Sequence, residues 1–255
     1  MSGFELGHGT IPHDGCSGPM TNFVLVHGAY HGAWCWFKVT AELEARGHTV
    51  ATFDLPGHGV DTTPVRGVTF DGYVNSVLDV VDGIDGPIVL VGHSMSGMII
   101  TQVAERRPDA IDALVYLTAY LPADGESMMD QRVEGSLISR NFTVDEERGV
   151  GIVSRGALQE LFYADCSPSD LALATSLVRP EPFEPLSRAV SITEERFGSV
   201  PRTFVVCEHD RTISPTHQRT MIEERGCDEV MALEASHSPF LSIPEELAAT
   251  LESVV

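Results

Sequence analysis

The stretch "VGHSMSG" (residues 91–97) sets a serine, Ser94, among small residues where an apolar run gives way to a helical pattern. A serine hydroxyl is a poor nucleophile at neutral pH. It attacks when a base, usually histidine, takes its proton and a carboxylate keeps that base in the accepting tautomer. Donors must also face the oxyanion that attack creates. The chain offers each part. His237 lies in "EASHSPF", just past the last strand-like run, and Asp210 lies in "FVVCEHDRTISP", just past the preceding one. Glu208 competes with Asp210, and Asp124 is a more distant alternative. The order serine, aspartate, histidine is the one found with a nucleophile elbow, a sharp strand–turn–helix of pattern G-x-S-x-G. Gly92 fits that pattern. Ser96 stands where its second glycine belongs, with Gly97 beyond. The oxyanion donors would be the N–H of Met95 and that of Ala29, in "HGAYHGAWCW" after the first strand, with Gly28 allowing close backbone approach.

These residues need a scaffold that brings distant loops to one place. Short apolar runs at 22–26, 48–53, 87–91, 111–117, 203–207 and 230–233 read as strands, and helical spacing fills 39–46, 70–82, 95–107, 215–225 and 244–255. The strands are continuously apolar and separated by helices, which is the pattern of a mostly parallel sheet covered on both faces. Residues 121–198 break the rhythm, with helices expected at 156–163 and 167–178 and no clear strand. An all-helical cap inserted there would sit over the C-terminal edge of the sheet, where such folds bind ligands. The expected division is a loose tail (1–21), a core (22–120 and 199–255) and a helical cap (121–198). The cap supplies apolar side chains, and Phe162, Leu177 and Val178 are pocket candidates together with Gly28, Tyr30 and Ser238. Met95, Met128 and Met129 add adaptable lining, while Met98 reads as core.

Composition narrows the function classes. The formal net charge is −21, from 16 Lys and Arg against 37 Asp and Glu, so a nucleic-acid backbone would be repelled. No apolar run approaches the roughly 20 residues that span a bilayer, and the first residues lack the features of a secretion signal. Five scattered cysteines, an odd number without metal-site spacing, fit a reducing, cytoplasmic compartment. Neither a phosphate-binding loop nor an H-E-x-x-H zinc signature is present. "LPGHG" (55–59) reads as a turn.

The stretch "FVLVHGAYHGAWCWFKVTAELEARGHTVATFDLPGHGVD", the cap segment "CSPSDLALATSLVRP" and "ERFGSV" resemble the plant methylesterase and hydroxynitrile lyase group of the α/β-hydrolases, a group with bacterial relatives that includes methyl salicylate and methyl jasmonate esterases. The resemblance covers about residues 22–255. It implies an α/β-hydrolase fold with a helical cap and an esterase with no cofactor and no metal. It also implies Ser94, Asp210 and His237 as triad, with Ala29 and Met95 as oxyanion donors. In the lyase members a threonine follows the first histidine and a lysine follows the catalytic one; here those positions hold Gly28 and Ser238. The expectation is therefore a serine-dependent hydrolase of small, largely apolar carboxylic esters acting through an acyl-enzyme. A lyase on the same scaffold and a non-enzymatic small-ligand receptor are the alternatives. The expected partner is a small-molecule ester, with neither nucleic acid nor membrane, and a homodimer is the assembly to look for.

Overall fold

The computed structural model describes residues 20–255. The expected tail over 1–21 lies outside the described residues except for Met20, which is exposed, and Thr21, which is buried. Cys16 also lies outside.

The chain alternates strand and helix: β1 (Asn22–Val26), α1 (Phe37–Ala45), β2 (Thr49–Thr52), α2 (Phe70–Val81), β3 (Ile88–His93), α3 (Ser96–Arg106) and β4 (Ala113–Leu117). After a long insertion come β8 (Arg202–Cys207), α8 (Pro215–Arg225), β9 (Glu229–Leu233), α9 (Pro239–Ser242) and α10 (Pro244–Glu252). The six strands form one sheet in the order β2-β1-β3-β4-β8-β9, and every adjacent pair is parallel. Helices cover both faces, so the central strands bury both alternating sets of side chains; every residue of β3 is buried. The register pairs Val26 with Gly92 and His93 with Leu117, which brings the loops after β1, β3 and β4 to the same edge. Helix ends follow local chemistry. Thr69 accepts from the Gly72 amide at the start of α2, and Gly226 takes a positive φ of 77° where α8 stops.

The insertion between β4 and β8 corrects one expectation. It carries α4 (Leu137–Asn141), β5 (Phe142–Asp145), β6 (Val150–Val153), α5 (Leu158–Phe162), α6 (Pro168–Leu177), β7 (Glu181–Pro182) and α7 (Phe183–Ser187). Strands β5, β6 and β7 form an antiparallel sheet, with Phe142 opposite Val153 and Val150 opposite Pro182. The cap is therefore mixed rather than all-helical. Its strands are only two to four residues long, too short for an alternating pattern to stand out.

Candidate active site

Ser94 sits between β3 and α3 at φ +54°, in the left-handed region that non-glycine residues seldom occupy. The surroundings hold it there. Its carbonyl accepts from the amides of Gly97 (3.2 Å) and Tyr120 (3.0 Å). A Cβ on Gly92 would lie 2.7 Å from the Ser96 carbonyl oxygen, and one on Gly97 would lie 1.9 Å from that of Tyr120, so both glycines serve close backbone packing. The third small residue of the elbow has a separate task. Ser96 is fully buried and its hydroxyl donates to the His27 carbonyl, tying the elbow to the loop after β1.

Asp210, His237 and Ser94 form one hydrogen-bonded chain. His237 Nδ1 lies 2.7 Å from Asp210 Oδ2, and its Nε2 lies 3.1 Å from Ser94 Oγ. The carboxylate demands a proton on Nδ1, which leaves the Nε2 lone pair for the serine hydroxyl. Asp210 is buried, yet both its oxygens are satisfied. Oδ1 accepts from the amides of Thr212 (2.6 Å) and Ile213 (3.1 Å), and Oδ2 accepts from the Thr118 hydroxyl besides His237. The competing carboxylates are elsewhere: Glu208 pairs with Arg219 on the surface, and Asp124 accepts from the Ile192 amide. His93 donates from Nε2 to the His237 carbonyl at 2.8 Å and so steadies the loop that carries the base. Burial first, then the neighbouring His237, holds His93 well below the ordinary histidine range, so it stays neutral.

The orientation of the Ala29 and Met95 amides follows from peptide planarity. In a trans peptide the C=O and N–H point in opposite directions. The Gly28 carbonyl is held by His27 Nδ1 (2.9 Å) and the His31 amide (3.4 Å), which turns the Ala29 N–H the other way. In the same manner the two bonds to the Ser94 carbonyl turn the Met95 N–H. Neither amide donates to any acceptor among the described residues. The rings shaping this loop are neutral. Burial, with His58 next, holds His27 well below the usual range, and burial brings His31 down to about 3. His31 donates from Nδ1 to the Ala29 carbonyl (2.7 Å) and accepts from the Tyr163 hydroxyl (2.8 Å). The loop is also latched to the cap. Tyr30, at φ +68°, donates its amide to Glu181 of β7 at 2.8 Å, and Glu181 in turn accepts from His58 Nε2 and the Tyr73 hydroxyl.

A cleft opens beside Ser94 and His237. Tyr30, Met128, Met129 and Phe162, proposed as lining from the sequence, are found in it, and Ala29, Tyr120, Arg132, Ile138, Phe142 and Thr212 complete it. Four pocket candidates are corrected. Gly28 lies behind the loop, with no room for a Cβ, which would be 2.6 Å from His93 Nδ1. Leu177 is exposed on α6, Val178 lines a separate hollow beside Ile152 and Leu158, and Ser238 is fully buried away from the cleft. Met95 contributes its amide position, not its side chain, to this region. The added lining residues come from loops, from α4 (Ile138) and from β5 (Phe142), and the two cap elements lacked a sequence signal. Among the described residues no group of His, Cys, Asp and Glu is placed to hold a metal ion, and no helix is long and apolar enough to cross a membrane.

Comparison with known proteins agrees with this architecture. Residues 23–250 match the model of the alpha/beta hydrolase family. The chain is 35% identical over 247 residues to Salicylic acid-binding protein 2 of Nicotiana tabacum, covering 90% of this chain and 95% of that one. It is 34% identical over 253 residues to Methyl jasmonate esterase 1 of Vitis vinifera, covering 92% and 96%. Among solved structures, polyneuridine aldehyde esterase superposes with a TM-score of 0.84 at 29% identity, covering 92% of this chain and 99% of that one. A pyrethroid hydrolase from Sphingobium faniae JZ-2 superposes with a TM-score of 0.83 at 28% identity, covering 92% and 97%. With this match across nearly all of the described residues and the parallel six-stranded sheet beneath it, the chain belongs to the α/β-hydrolase family.

Proposed function

We propose that the protein hydrolyses small, largely apolar carboxylic esters through a serine-bound acyl-enzyme. The observation that carries this reading is the hydrogen-bonded chain Asp210–His237–Ser94 beside two unpartnered amides at the mouth of an apolar cleft. Ser94 Oγ attacks the ester carbon while His237 Nε2 takes its proton. The carbonyl oxygen, now an oxyanion, receives the N–H groups of Ala29 and Met95. His237 then hands its proton to the departing alkoxide, and the alcohol leaves. Water enters, loses a proton to His237 and attacks the acyl carbon, releasing the acid and restoring Ser94. Asp210 stabilises the imidazolium that forms on His237. Every step is a proton transfer or acyl transfer that these side chains supply, so the scheme calls for no cofactor.

The relatives' names support the substrate class, since they include a methyl jasmonate esterase and several methylesterases. Cyanohydrin cleavage is disfavoured. Gly28 leaves no space for the threonine of the lyase members, and buried Ser238 supplies no cation beside His237. The test is a panel of aryl and alkyl methyl esters, acetate esters, lactones and mandelonitrile, run with the intact protein and with Ser94→Ala. The expected result is selective ester turnover that falls on the order of 10⁴-fold or more in Ser94→Ala at an unchanged unfolding midpoint. Retained ester turnover in Ser94→Ala overturns the assignment. Faster enzyme-dependent benzaldehyde release from mandelonitrile than alcohol release from the esters moves the lyase ahead. Uniformly slow rates favour a ligand receptor.

A further inference from the structure

Ester hydrolysis leaves one side chain of the cleft without a task. Among the described residues, Arg132 is the only Arg, Lys, Asp or Glu that lines it. The residue is half-buried on the loop leading to α4. Its guanidinium makes a single hydrogen bond, from Nη2 to the Ser139 carbonyl at 2.9 Å, and lies 5.0 Å from the centroid of the Phe142 ring. Among the described residues no carboxylate pairs with it, although acidic residues outnumber basic ones by 37 to 16 in the chain. A guanidinium carries five N–H donors in a planar fork that fits a carboxylate edge to edge. Most of that capacity is unused here.

Two further donors line the same cleft. Tyr30 and Tyr120 are buried and line the cleft, and neither hydroxyl has a protein partner among the described residues. Burial, with the Glu181 carboxylate next, holds the Tyr30 hydroxyl well above its usual range. Burial, with Asp210 next, does the same for Tyr120. Both therefore remain protonated donors. The Arg132 charge opposes both rises. Thr212 commits its hydroxyl to the Leu161 carbonyl (2.8 Å), and the remaining lining, Ala29, Met128, Met129, Ile138, Phe142 and Phe162, is apolar. The cleft thus combines the reacting serine, an apolar middle and one unpaired fork of positive charge. A formal charge of −21 on the chain gives an anion no long-range attraction, so a local cation would have to hold it.

We propose that Arg132 receives a carboxylate on the part of the substrate that fills the cleft, so that the preferred substrates are apolar esters carrying a free acid group, such as monoesters of dicarboxylic acids. This rests on the ester-hydrolase reading for the reacting end of the molecule. Tyr30 and Tyr120 add neutral donors to the same group or to the ester beside it. The rival account makes Arg132 a structural pin that only joins Ser139 to Phe142.

The experiment uses monomethyl esters of straight-chain diacids from succinate to suberate, each paired with the neutral methyl ester of equal chain length. A second series puts the acid on the alcohol half, as acetate esters of ω-hydroxy acids. The measured quantity is the ratio of kcat/KM for the acidic ester to that for its neutral partner. At the best chain length in one series the ratio should reach roughly ten- to hundredfold, carried mainly by KM. Arg132→Gln should bring the ratio close to 1, Arg132→Lys should restore part of it, and the exposed Arg148→Gln should leave it intact. A ratio near or below 1 in the wild-type protein for every length in both series overturns the proposal. So does an Arg132→Gln variant that loses turnover of both partners equally, the result expected of a structural pin. Calorimetric titration of Ser94→Ala with monomethyl adipate and with methyl hexanoate separates the two readings. Tighter binding of the acid ester that disappears in the Ser94→Ala, Arg132→Gln protein upholds the anion site even if no ester is turned over. Equal binding of the two compounds overturns it even if hydrolysis is confirmed.

Discussion

Glu181 offers the sharpest perturbation outside the triad. It lies on β7 of the cap, fully buried, and accepts from the Tyr30 amide (2.8 Å), His58 Nε2 (2.8 Å) and the Tyr73 hydroxyl (2.9 Å). Burial by itself would lower His58, but the Glu181 carboxylate and the hydrogen bonds to Glu181 and the Pro56 carbonyl override it and hold His58 above its ordinary 6.5. In Glu181→Gln the amide oxygen can still serve Tyr30 and His58, while its NH₂ faces the Tyr73 oxygen, which can accept. The Tyr73 O–H loses its carboxylate acceptor and has His58 Nδ1, 3.4 Å away, to turn to, so the variant removes the charge and weakens one buried hydrogen bond. Hydrogen bonds to charged groups exceed neutral ones by about 1–2 kcal/mol, so the expected loss is about 1–3 kcal/mol, read as roughly 2–12 °C for a chain of this size. Glu181→Leu strands the three donors and should cost about 3–5 kcal/mol. The pH dependence gives the decisive readout. A histidine with a raised folded pKa contributes stability that is complete below pH 6.5 and lost as pH rises through the folded value. The Tm gap between wild type and Glu181→Gln should therefore be widest near pH 6 and narrow toward pH 9. Because Tyr30 follows Ala29, the proposed oxyanion donor, kcat should fall roughly tenfold with little change in KM. A gap that stays constant or widens across that pH range refutes the buried ion pair. Unaltered kcat refutes the latch.

The other expectations can be stated briefly. Asp210→Asn should lower kcat on the order of 10⁴-fold by reversing the His237 tautomer, whereas surface-paired Glu208→Gln should change it by no more than about twofold; comparable losses would mean the acid is misassigned. Ser96→Gly restores the motif glycine but deletes the bond to the His27 carbonyl, so kcat should drop roughly three- to tenfold, and equal or higher kcat would show that the tie is idle. Gly28→Ala places a Cβ 2.6 Å from His93 Nδ1, and soluble yield and Tm should both fall; a variant as stable as wild type contradicts the packing described. Acid should destabilise the protein through His27, His31 and His93, whose folded values are depressed. Their contribution is complete above pH 6.5 and is lost as pH falls, by about 1.4 kcal/mol per pH unit for each, so Tm should drop steadily from pH 6.5 to 4.5; a flat profile would count against buried neutral rings.

How much of this was legible from sequence depends on the range of the interactions. Each core strand, and each core helix except the four-residue α9, emerged within a few residues of its observed bounds, because burial on both faces writes long apolar runs into β3 and β4 and a clear period into α2. Ser94, Asp210 and His237 were legible because each follows a core strand by a short loop, so position along the chain fixes position at the sheet edge. The pocket was not. Tyr120, Arg132, Phe142 and Thr212 meet only after the cap folds back on the core, and no local pattern marks them. Leu177 and Val178 were apolar residues near the right place, but α6 turns them toward solvent and a neighbouring hollow. The cap sheet escaped notice because β5 and β6 hold four residues each and β7 contains a proline.

Ser96 shows where a departure from a motif carries information of its own. The elbow needs small residues for a steric reason, and in this chain Gly92 and Gly97 meet the closest approaches. The position between them tolerates a side chain only if its polar atom finds a partner when fully buried. The His27 carbonyl is that partner, and it lies one residue before Gly28, whose own carbonyl orientation turns the Ala29 amide. One hydroxyl thus joins the loop bearing the nucleophile to the loop proposed to receive the oxyanion. Glu181 reaches the far side of the same loop from the cap through Tyr30. The oxyanion loop is therefore clamped between the elbow and the cap, and loosening either attachment should displace the Ala29 N–H relative to that of Met95. If that geometry limits acyl transfer, the double variant Ser96→Gly, Glu181→Gln should lose less kcat than the product of the two single losses, because a loop already released on one side has less alignment left to lose. Independent, multiplicative losses would mean that each residue acts through its own surroundings, and the shared clamp would have to be abandoned.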